Sequence, residues 1–490
     1  MPLKAKIQEG LIGMLEKRYT GIREVVGLLD KVRERVEKQN IAGMHQENQG
    51  SNDVKDKQPE SNGSTIERTE DGDILIGYGS SEQVDSSCDG IFKPEDGKWR
   101  PVVGTLGLIY KLQKVSDDGW YDSSSVFLMD KEKVSTLVDL LGHFWSRSCD
   151  IAANIKGEEE EELKTNLAAG MELPRDDVLY VFNKDAVKAD VEDHCPDIAL
   201  TLDHLRKELV LTVCGTKVFP VPSAADIIMD LYADCIPFHR GRAHRGMATA
   251  CNNILTKLMD LIVEKLTEHS DYKLMIVGYS LGAGVAQLLA LRLSEGPEQS
   301  RLPEGTDMQC VTFGAPPVYA SSEPGYVNPS IISVYNHNDG LASLSLHTVT
   351  RLFLQIRAIN KLCLGRRQTF RLLRSKLGQS TTEGGTRKFL ATAADQRAEG
   401  WSNVASAIEA VYSTGFTSLT HMAGTTYLLK RAEVGHIVRR LEGCQAEPLA
   451  HELRLRAGMF NDHMPWGYNA LFKGCGGCSH TYSLDMLKYL

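Results

Sequence analysis

Residues 273–293 read KLMIVGYSLGAGVAQLLALRL, and this stretch separates two very different folds. A membrane-spanning helix needs about 20 mostly apolar residues, and the segment has that length. However, Gly278, Gly282 and Gly284 fall in its middle. Each glycine costs a continuous helix about 1 kcal/mol relative to alanine. The sequence therefore favours an interrupted segment over a continuous span.

The interrupted interpretation divides the stretch into a strand, a sharp turn and a helix. Leu274–Val277 is a short β-rich apolar run, GYSLG at 278–282 forms the turn, and Val285–Leu293 continues as a helix. A G-x-S-x-G motif in this context presents its serine at a strained turn between strand and helix. The glycines leave the space that such a turn needs, because a Cβ there would collide with its neighbours. We therefore predict that Ser280 is a nucleophile.

The composition of the whole chain is ordinary for a soluble globular protein. Its 490 residues are 42% hydrophobic and 24% charged, which suits one large α/β domain with appendages or two domains. The net charge of −9 gives no reason to expect a nucleic-acid partner. The first ten residues lack the apolar core of a secretory signal, so we expect a cytoplasmic protein without signal peptide or transmembrane helix. Eleven cysteines without a short regular spacing indicate reduced thiols.

The N-terminal part of the chain divides into two predicted segments. Residues 1–40 contain a helix in which Leu15, Ile22 and Leu29 recur every seven positions. That pattern fits either a short coiled coil with a partner or a helix that docks on its own domain. Residues 41–90 are rich in Asn, Gln, Ser, Gly, Asp and Glu, and we predict a disordered linker because they could bury little apolar surface.

Residues 91–490 are predicted to form one domain around a mostly parallel sheet flanked by helices. From about Ile198 onward, short apolar runs alternate with helical segments, which is typical of a parallel sheet with crossover helices. The predicted strands lie in ELVLTVCGT, KLMIV, MQCVTFGAPPV, IISVYNHND and TTYLLKR, and the helix before the elbow strand lies in NNILTKLMDLIVEKLTEH.

A nucleophilic serine needs a base to take its proton and an acid to orient that base. In α/β-hydrolases the order is Ser, acid, His, and each follows the carboxyl end of a strand. Asp339 follows the run SVYNHN directly before Gly340 and is the expected acid. Several histidines follow it, and the pattern alone does not choose among them, although His463 lies in a loop-like segment with Pro465. The later histidines are His347, His421, His436, His451, His463 and His480.

The same chemistry requires hydrogen-bond donors for a developing oxyanion. One donor is expected to be the backbone N–H of Leu281, directly after the nucleophile, and the other should come from an early strand-to-helix loop. Gly215 and Thr216 follow the strand LVLTV and fit that loop, where Thr216 could add its hydroxyl.

Taken in order, these motifs resemble the class 3 lipases, a family of α/β-hydrolases. The family includes fungal triacylglycerol lipases and the sn-1-specific diacylglycerol lipases, and the latter are the more similar. The resemblance covers roughly residues 195–470. It rests on the Gly-Thr turn, GRAHRGM, VGYSLGAGVAQLLAL, VTFGAPPV, NHND, HMAGTTYLL and MFNDHMPWGY.

Carried over position by position, the resemblance implies Ser280 as nucleophile, Asp339 as acid and His463 as base. It also implies Thr216 and Leu281 as oxyanion donors. The glycines Gly278 and Gly282 support the turn. Asp230 matches an acid that steadies the oxyanion residue in fungal relatives, and residues 217–227 take the place of the lid. Two positions depart from the family, since Cys214 stands where most relatives have Arg and Tyr279 where many have His.

The implied activity is hydrolysis of glycerolipid esters, diacylglycerol or triacylglycerol, through an acyl-enzyme without a cofactor. Two alternatives stay open at this stage. One is a carboxylesterase acting on small soluble esters, and the other is a non-catalytic scaffold of the same fold. Near the end of the chain, Cys475, Cys478 and His480 are read as flexible surface thiols and a histidine, because a zinc site needs four ligands.

A basic helical insert is predicted at about residues 351–416. Its first part, 351–382, holds eight Lys or Arg and no Asp or Glu, interleaved with Leu, Ile and Phe. Such a segment can lie on an anionic bilayer, and we expect peripheral membrane contact through residues 351–376. A calmodulin-type partner and a solvated lid helix are the alternatives. The expected lipid substrate would lie at a membrane or droplet surface.

Overall fold

The fold is known from a computed structural model. It describes the chain in the following ranges: 67–68, 74–75, 100–117, 131–157, 159–183, 195–215, 235–295, 301–323, 326–375, 377–381, 387–391, 400–412, 423–431, 435–441, 453–456 and 458–473. The predicted N-terminal helix (1–40) lies outside these ranges, as does almost all of the predicted linker (41–90).

The strands are, in chain order, Glu67–Arg68 (β1), Ile74–Leu75 (β2), Val178–Phe182 (β3), Ile198–Asp203 (β4), Glu208–Val213 (β5), Cys235–Phe238 (β6), Gly241–His244 (β7), Lys273–Tyr279 (β8), Met308–Phe313 (β9), Tyr319–Ser321 (β10), Ile331–Asn336 (β11), Leu377–Thr381 (β12), Arg387–Ala391 (β13), Thr425–Arg431 (β14) and His436–Leu441 (β15). The strands predicted from the sequence coincide with β5, β8, β9, β11 and β14.

The α-helices are Arg100–Asp117 (α1), Lys131–Asn154 (α2), Glu160–Met171 (α3), Arg245–Glu268 (α4), Leu281–Leu293 (α5), Leu346–Asn360 (α6), Arg366–Arg374 (α7), Trp401–Tyr412 (α8), Met459–His463 (α9) and Pro465–Phe472 (α10). Short 3-10 turns cover Arg175–Asp177 and Gly340–Ser343. Among the described residues, no helix is both long and apolar enough to cross a membrane.

The chain divides into two compact units. The smaller combines residues 1–116 with 350–417, and the larger combines residues 117–349 with 418–490. The predicted basic insert falls in the smaller unit, and the GYSLG turn falls in the larger one.

The larger unit is built on an eight-stranded sheet with the order β15-β14-β11-β9-β8-β5-β4-β3. The five strands from β14 to β5 run parallel, and the strands outside them pair antiparallel. Parallel strands that are covered on both faces need continuous apolar sequence. That is why β5 and β11 are buried at every position. The expected mostly parallel sheet flanked by helices, an α/β-hydrolase arrangement, is confirmed.

Helices cover both faces of this sheet. Side chains of α2 and α10 form one core with every second residue of β8, namely Met275, Val277 and Tyr279, as the two-residue repeat of a strand requires. On the other face lie α4 and α5, which pack against each other and whose buried positions include Ile254 and Leu288. A second, three-stranded antiparallel sheet has the order β10-β7-β6.

The smaller unit contains α1, α7, α8 and most of α6, together with the hairpin β12-β13. Helix α1 approaches α7 closely at two glycines. A Cβ on Gly104 would lie 3.1 Å from the Thr369 methyl group, and one on Gly107 would lie 3.1 Å from a methyl group of Leu373. Small residues on α1 therefore set the spacing between the two helices.

At the amino-terminal end of β5, Glu208 is only 4% exposed. The second carboxylate oxygen of Glu208 has no hydrogen-bond partner among the described residues. Burial raises the pKa of Glu208 from 4.5 to about 7, although Arg147 and Arg206 act in the opposite direction. The neighbouring Asp203, in contrast, forms an ion pair with Arg147 at 2.5 Å.

Glu208 is expected to make the protein less stable above pH 7 than at pH 4.5. Because its folded-state pKa lies above the unfolded one, the folded state binds the extra proton between these values, and stability falls as the pH rises through this window. A shift of this size corresponds to about 3 kcal/mol. Urea unfolding should therefore show Glu208→Gln gaining stability over wild type at pH 8 and little at pH 4.5. The exposed Glu323→Gln is the control, and an equal gain at both pH values would contradict the prediction.

Candidate active site

Ser280 occupies the turn between β8 and α5 with a backbone conformation that L residues rarely adopt, φ 57° and ψ −126°. The neighbouring backbone fixes this conformation on both sides. The N–H of Ser280 donates to the carbonyl of Phe313 at 2.9 Å, and its carbonyl accepts from the N–H of Ala283 at 3.0 Å. Strain of this kind persists only when the surroundings enforce it. The predicted strand, turn and helix are therefore present, with the serine at the strained position.

The glycines of the motif lie where no side chain fits. A Cβ on Gly278 would lie 2.6 Å from the carbonyl oxygen of Gly282. A Cβ on Gly282 would lie 2.4 Å from the carbonyl oxygens of both Val213 and Cys214. The first turn of α5 therefore packs backbone to backbone against the end of β5, as the sequence predicts.

The structure brings Ser280, His463 and Asp339 into one hydrogen-bonded chain. Oγ of Ser280 lies 2.9 Å from Nε2 of His463. Nδ1 of that imidazole lies 3.0 Å and 3.1 Å from the two carboxylate oxygens of Asp339. All three side chains are more than 90% buried. Because a carboxylate only accepts, the proton of the neutral imidazole belongs on Nδ1, which leaves Nε2 to accept from the serine hydroxyl.

Asp339 reaches this position because it follows β11. Its backbone leads into the 3-10 turn at Gly340–Ser343, and its Oδ1 accepts from the N–H of Leu341 at 2.9 Å. Since β8 and β11 run parallel in one sheet, their carboxyl ends lie at the same edge. The predicted position of the acid beyond an apolar strand is therefore close to Ser280 in space.

His463 lies in a helix, and the loop expected there is wrong. It is the last residue of α9, and α10 begins two residues later at Pro465. Proline suits the first helical position because its missing N–H would have no partner there. Gly458, with φ 86°, precedes α9. Pro and Gly here delimit short helices. Another of the later histidines, His436, begins strand β15.

Tyr468 is a site residue that the sequence motifs alone do not identify. Its hydroxyl donates to Oδ2 of Asp339 at 2.7 Å and accepts from the N–H of Asn336 at 3.2 Å. Burial, and then the charge of Asp339, raise the pKa of Tyr468 well above its ordinary value, which keeps the phenol a donor. The sequence signal for it is its place at the end of the motif MFNDHMPWGY.

Tyr279, one of the departures from the family pattern, contacts His463 in two ways. Its hydroxyl donates to the backbone carbonyl of His463 at 2.6 Å. Its ring stacks on the imidazole with 5.3 Å between centroids and 17° between planes. Trp145 of α2 packs edge-on against Tyr279 at 5.1 Å and stacks on Tyr468 at 4.8 Å. Tyr279 therefore supports the imidazole and its backbone from one side.

Tyr279→Phe is expected to lower kcat about tenfold, since small displacements of a reacting group have effects of this order, with little change in KM for a soluble ester. The substitution keeps the stacked ring and leaves the buried carbonyl of His463 without its donor, which costs about 1–3 kcal/mol of unfolding free energy. Steady-state kinetics and thermal unfolding measure both effects. Tyr272→Phe, at an exposed phenol bonded to His204, is the control, and equal kinetics for the two variants would contradict this role.

Only part of the predicted oxyanion site lies within the described residues. Leu281 is the first residue of α5, where the backbone N–H has no acceptor within the helix. Gly215 follows β5, and a Cβ on it would lie 2.8 Å from the carbonyl oxygen of Tyr279. The chain after β5 therefore passes directly beside the turn. Thr216 and Asp230 lie outside the described residues, and their roles stay predictions.

Two further predicted segments also lie outside the described residues. They are the lid segment, residues 217–227, and the C-terminal group of Cys475, Cys478 and His480. Among the cysteines that the structure does describe, Cys214 is buried and is not part of a disulfide.

The part of the chain that contains Ser280 and Asp339 is similar to known proteins. Residues 214–348 match the family described as lipase (class 3). Mouse diacylglycerol lipase-beta is 33% identical over 110 residues, which are 21% of this chain and 16% of that protein. The chain thus spans about one sixth of this curated relative.

Solved lipase structures are also similar to the chain. The Lip2 lipase of Yarrowia lipolytica is 17% identical, with a TM-score of 0.29 over 40% of this chain and 73% of its own. The Rhizomucor miehei triacylglyceride lipase is 15% identical, with a TM-score of 0.29 over 44% and 74%.

The family match begins at Cys214, at the turn after β5, and ends beyond Asp339. It therefore includes the strand, turn and helix around Ser280 and the acid that follows β11. Residues 214–348 are thus similar to the class 3 lipases, and the resemblance to this family and to the diacylglycerol lipases is confirmed.

Proposed function

We propose that this protein is a serine lipase that hydrolyses glycerolipid esters through an acyl-enzyme on Ser280. The observation that carries the proposal is the buried chain of hydrogen bonds from Oγ of Ser280 through His463 to Asp339, with distances of 2.9 Å and 3.0 Å. A side-chain oxygen held against an imidazole that a carboxylate orients is the arrangement that acyl transfer requires.

In the first half of the proposed reaction, Oγ of Ser280 attacks the ester carbonyl carbon while its proton passes to Nε2 of His463. The carbonyl oxygen becomes an oxyanion, for which the N–H of Leu281 at the positive end of α5 and the proposed Thr216 are the donors. When the tetrahedral intermediate collapses, His463 returns the proton to the departing alcohol. An acyl group then remains on Ser280.

In the second half, a water molecule takes the place of the alcohol. His463 removes its proton, the hydroxyl attacks the acyl carbon, and the fatty acid leaves as Ser280 regains its proton. Asp339 stays ionised throughout and stabilises the imidazolium that forms twice in each cycle. Asp230 is proposed to steady the oxyanion residue.

The match of residues 214–348 to the class 3 lipases supports glycerolipids as the substrate class. The name of the mouse relative, diacylglycerol lipase-beta, supports diacylglycerol as the first substrate to test. Resemblance to the sn-1-specific enzymes further predicts that the ester at the sn-1 position is cleaved. Triacylglycerol is the second candidate, because the class 3 lipases that the chain resembles include triacylglycerol lipases.

A panel of substrates tests this proposal, with Ser280→Ala as the blank. Diacylglycerol, triacylglycerol and phosphatidylcholine in mixed micelles are compared with a soluble short-chain p-nitrophenyl ester. We expect diacylglycerol to be turned over fastest, with 2-monoacylglycerol as the product. Turnover of the soluble ester alone would instead indicate a carboxylesterase. No serine-dependent turnover of any substrate would leave a non-catalytic scaffold.

A further inference from the structure

Basic residues dominate a long stretch of the smaller unit. From Arg351 to Thr382 the sequence contains eight Lys or Arg and no Asp or Glu. Four of the arginines lie on the nine-residue helix α7 and are exposed: Arg366, Arg367, Arg371 and Arg374. We call these four the cationic face. Arg357 and Lys361, just before α7, are exposed as well.

The cationic face forms one side of the helix. At about 100° per residue, the four arginines fall within about 140° of the helix circumference. Leu372 lies roughly opposite and is fully buried. Among the residues that the structure describes, Arg366, Arg367 and Arg371 form no ion pair with a carboxylate. The Arg374 guanidinium lies over the Phe370 ring at 5.4 Å.

Helix α7 is held in place within its unit by buried and partly buried hydrogen bonds. The Lys111 ammonium of α1 donates to the carbonyls of Leu372 and Leu373 at 3.0 Å each, and also to that of Ser375. The Ser375 hydroxyl accepts from the Trp401 indole N–H at 2.7 Å. A cation at the carboxyl end of a helix stabilises the helix dipole. The four arginines are therefore presented by a fixed element.

These contacts decide between the two partners that a basic amphipathic helix suggests. Calmodulin-type recognition places the apolar side of the helix in a groove. In this protein Leu372, on the apolar side of α7, is already buried against its own unit. Only the charged side is available to a partner without unfolding. Such a side fits an extended anionic surface, which needs no apolar anchor.

We propose that the cationic face of α7 docks the protein on bilayers that contain anionic phospholipids. The contact is electrostatic and does not insert the helix, because its apolar side is occupied. Each basic residue near an acidic bilayer surface raises binding about fivefold. The binding should weaken steeply with salt, since charges are screened within roughly 10 Å at 0.1 M and 3 Å at 1 M ionic strength. The proposal is independent of the ester chemistry at Ser280.

Vesicle co-sedimentation of the full chain tests this directly. We expect binding to vesicles of phosphatidylcholine with 30 mol% phosphatidylserine at about 0.1 M salt, and loss of binding at about 1 M salt or with pure phosphatidylcholine. The variant R366Q/R367Q/R371Q/R374Q is expected to lose about 10²- to 10³-fold in partition coefficient. The variant with four Arg→Lys changes keeps its charge and should bind like wild type.

A matched control variant removes four positive charges from the larger unit instead. The variant K207Q/R240Q/K257Q/R301Q changes four exposed basic residues and should bind vesicles like wild type. Thermal unfolding shows whether each variant is folded, and R366Q/R367Q alone serves if the fourfold variant unfolds. The proposal is overturned if wild type binds vesicles equally well with and without anionic lipid. It is also overturned if the fourfold Gln variant of α7 and the control variant lose vesicle binding equally. Capture by Ca²⁺-calmodulin through these arginines, with vesicle binding unchanged, overturns it too.

The same samples separate this proposal from the proposed function. Ser280→Ala should bind anionic vesicles like wild type while hydrolysing nothing. The fourfold Gln variant should hydrolyse the soluble short-chain ester at the wild-type rate. Vesicle binding without serine-dependent turnover of any ester would therefore support docking and reject the lipase proposal. Turnover of diacylglycerol without vesicle binding would support the lipase proposal and reject docking.

Discussion

Ser280→Ala is expected to lower kcat for ester hydrolysis by about 10⁴- to 10⁶-fold, which is the range found when a catalytic nucleophile is removed. The methyl group cannot form the acyl-enzyme, so only direct attack by water remains. The oxyanion donors and the binding of substrate are unchanged, and they should preserve a rate about 10³- to 10⁴-fold above the uncatalysed reaction.

This variant should fold like wild type. The only side-chain partner of the Ser280 hydroxyl among the described residues is Nε2 of His463 at 2.9 Å. The backbone bonds that fix the turn, from Ser280 to Phe313 and Ala283, do not involve the side chain. Alanine meets the same strain at φ 57° as serine does. A large loss of rate with an unchanged unfolding midpoint is therefore the expected combination.

A fluorophosphonate probe gives a second measurement, because it reacts with an activated serine. The probe should label wild type and fail to label Ser280→Ala. Ser294→Ala is the matched control, since Ser294 lies just beyond the other end of α5 and its hydroxyl bonds Leu291 and Asn328. That variant should be labelled at the wild-type rate. Equal labelling of Ser280→Ala and wild type would show that another residue is the nucleophile.

The local part of this site could be predicted from the sequence. The strand, turn and helix around Ser280 follow from an apolar run, closely spaced glycines and a second apolar run within 21 residues. Asp339 could be predicted because an acid at the end of a buried strand has a fixed relation to the sheet edge. In both cases the signal lies within one element and its ends.

The contacts around His463 could not be predicted in the same way. His463 is 183 positions from Ser280, and several histidines share the region after Asp339. The packing of Tyr279 on the imidazole depends on where α9 lies against the sheet. The sequence pattern around Tyr279 and that of α9 do not indicate where α9 lies against the sheet. Only the resemblance to the class 3 lipases distinguishes His463 from the other histidines.

The division of the chain into units was also not evident from local patterns. Residues 100–116 join residues 350–417 in one unit, although more than 200 positions separate them. The contacts that hold α7 involve Lys111 and Gly107 of α1. Neither residue stands out in the sequence. A lysine on a helix is usually explained by solvent exposure, and a glycine by weak packing.

Asp339→Asn is expected to lower kcat about 10⁴-fold while the protein stays folded, as for other acids that orient a catalytic histidine. The carboxylate accepts from Nδ1 of His463 and so leaves Nε2 free to take the proton of Ser280. An amide can donate to Nδ1 instead. The imidazole then carries its proton on Nε2, where it can no longer act as the base.

The neighbours of Asp339 determine which way the new amide turns. The Leu341 N–H donates to Oδ1 at 2.9 Å and cannot accept, so the amide oxygen should occupy that side. The amide nitrogen then faces the Tyr468 hydroxyl, which can accept by turning its own hydrogen toward the carbonyl of Val334, 3.2 Å away. Every polar group keeps a partner in this arrangement. The loss of rate should therefore come with little loss of stability.

Asp462→Asn provides the matched control for this prediction. Asp462 precedes His463 on α9, accepts from the Asn338 N–H at 3.2 Å and is partly exposed, but it does not bond the imidazole of His463. Its substitution should change kcat less than about tenfold, because an amide oxygen can still accept from that N–H. If Asp339→Asn lowered the rate no more than Asp462→Asn does, the carboxylate would not set the tautomer of His463. The base would then have to be oriented by its contacts with Tyr279 alone.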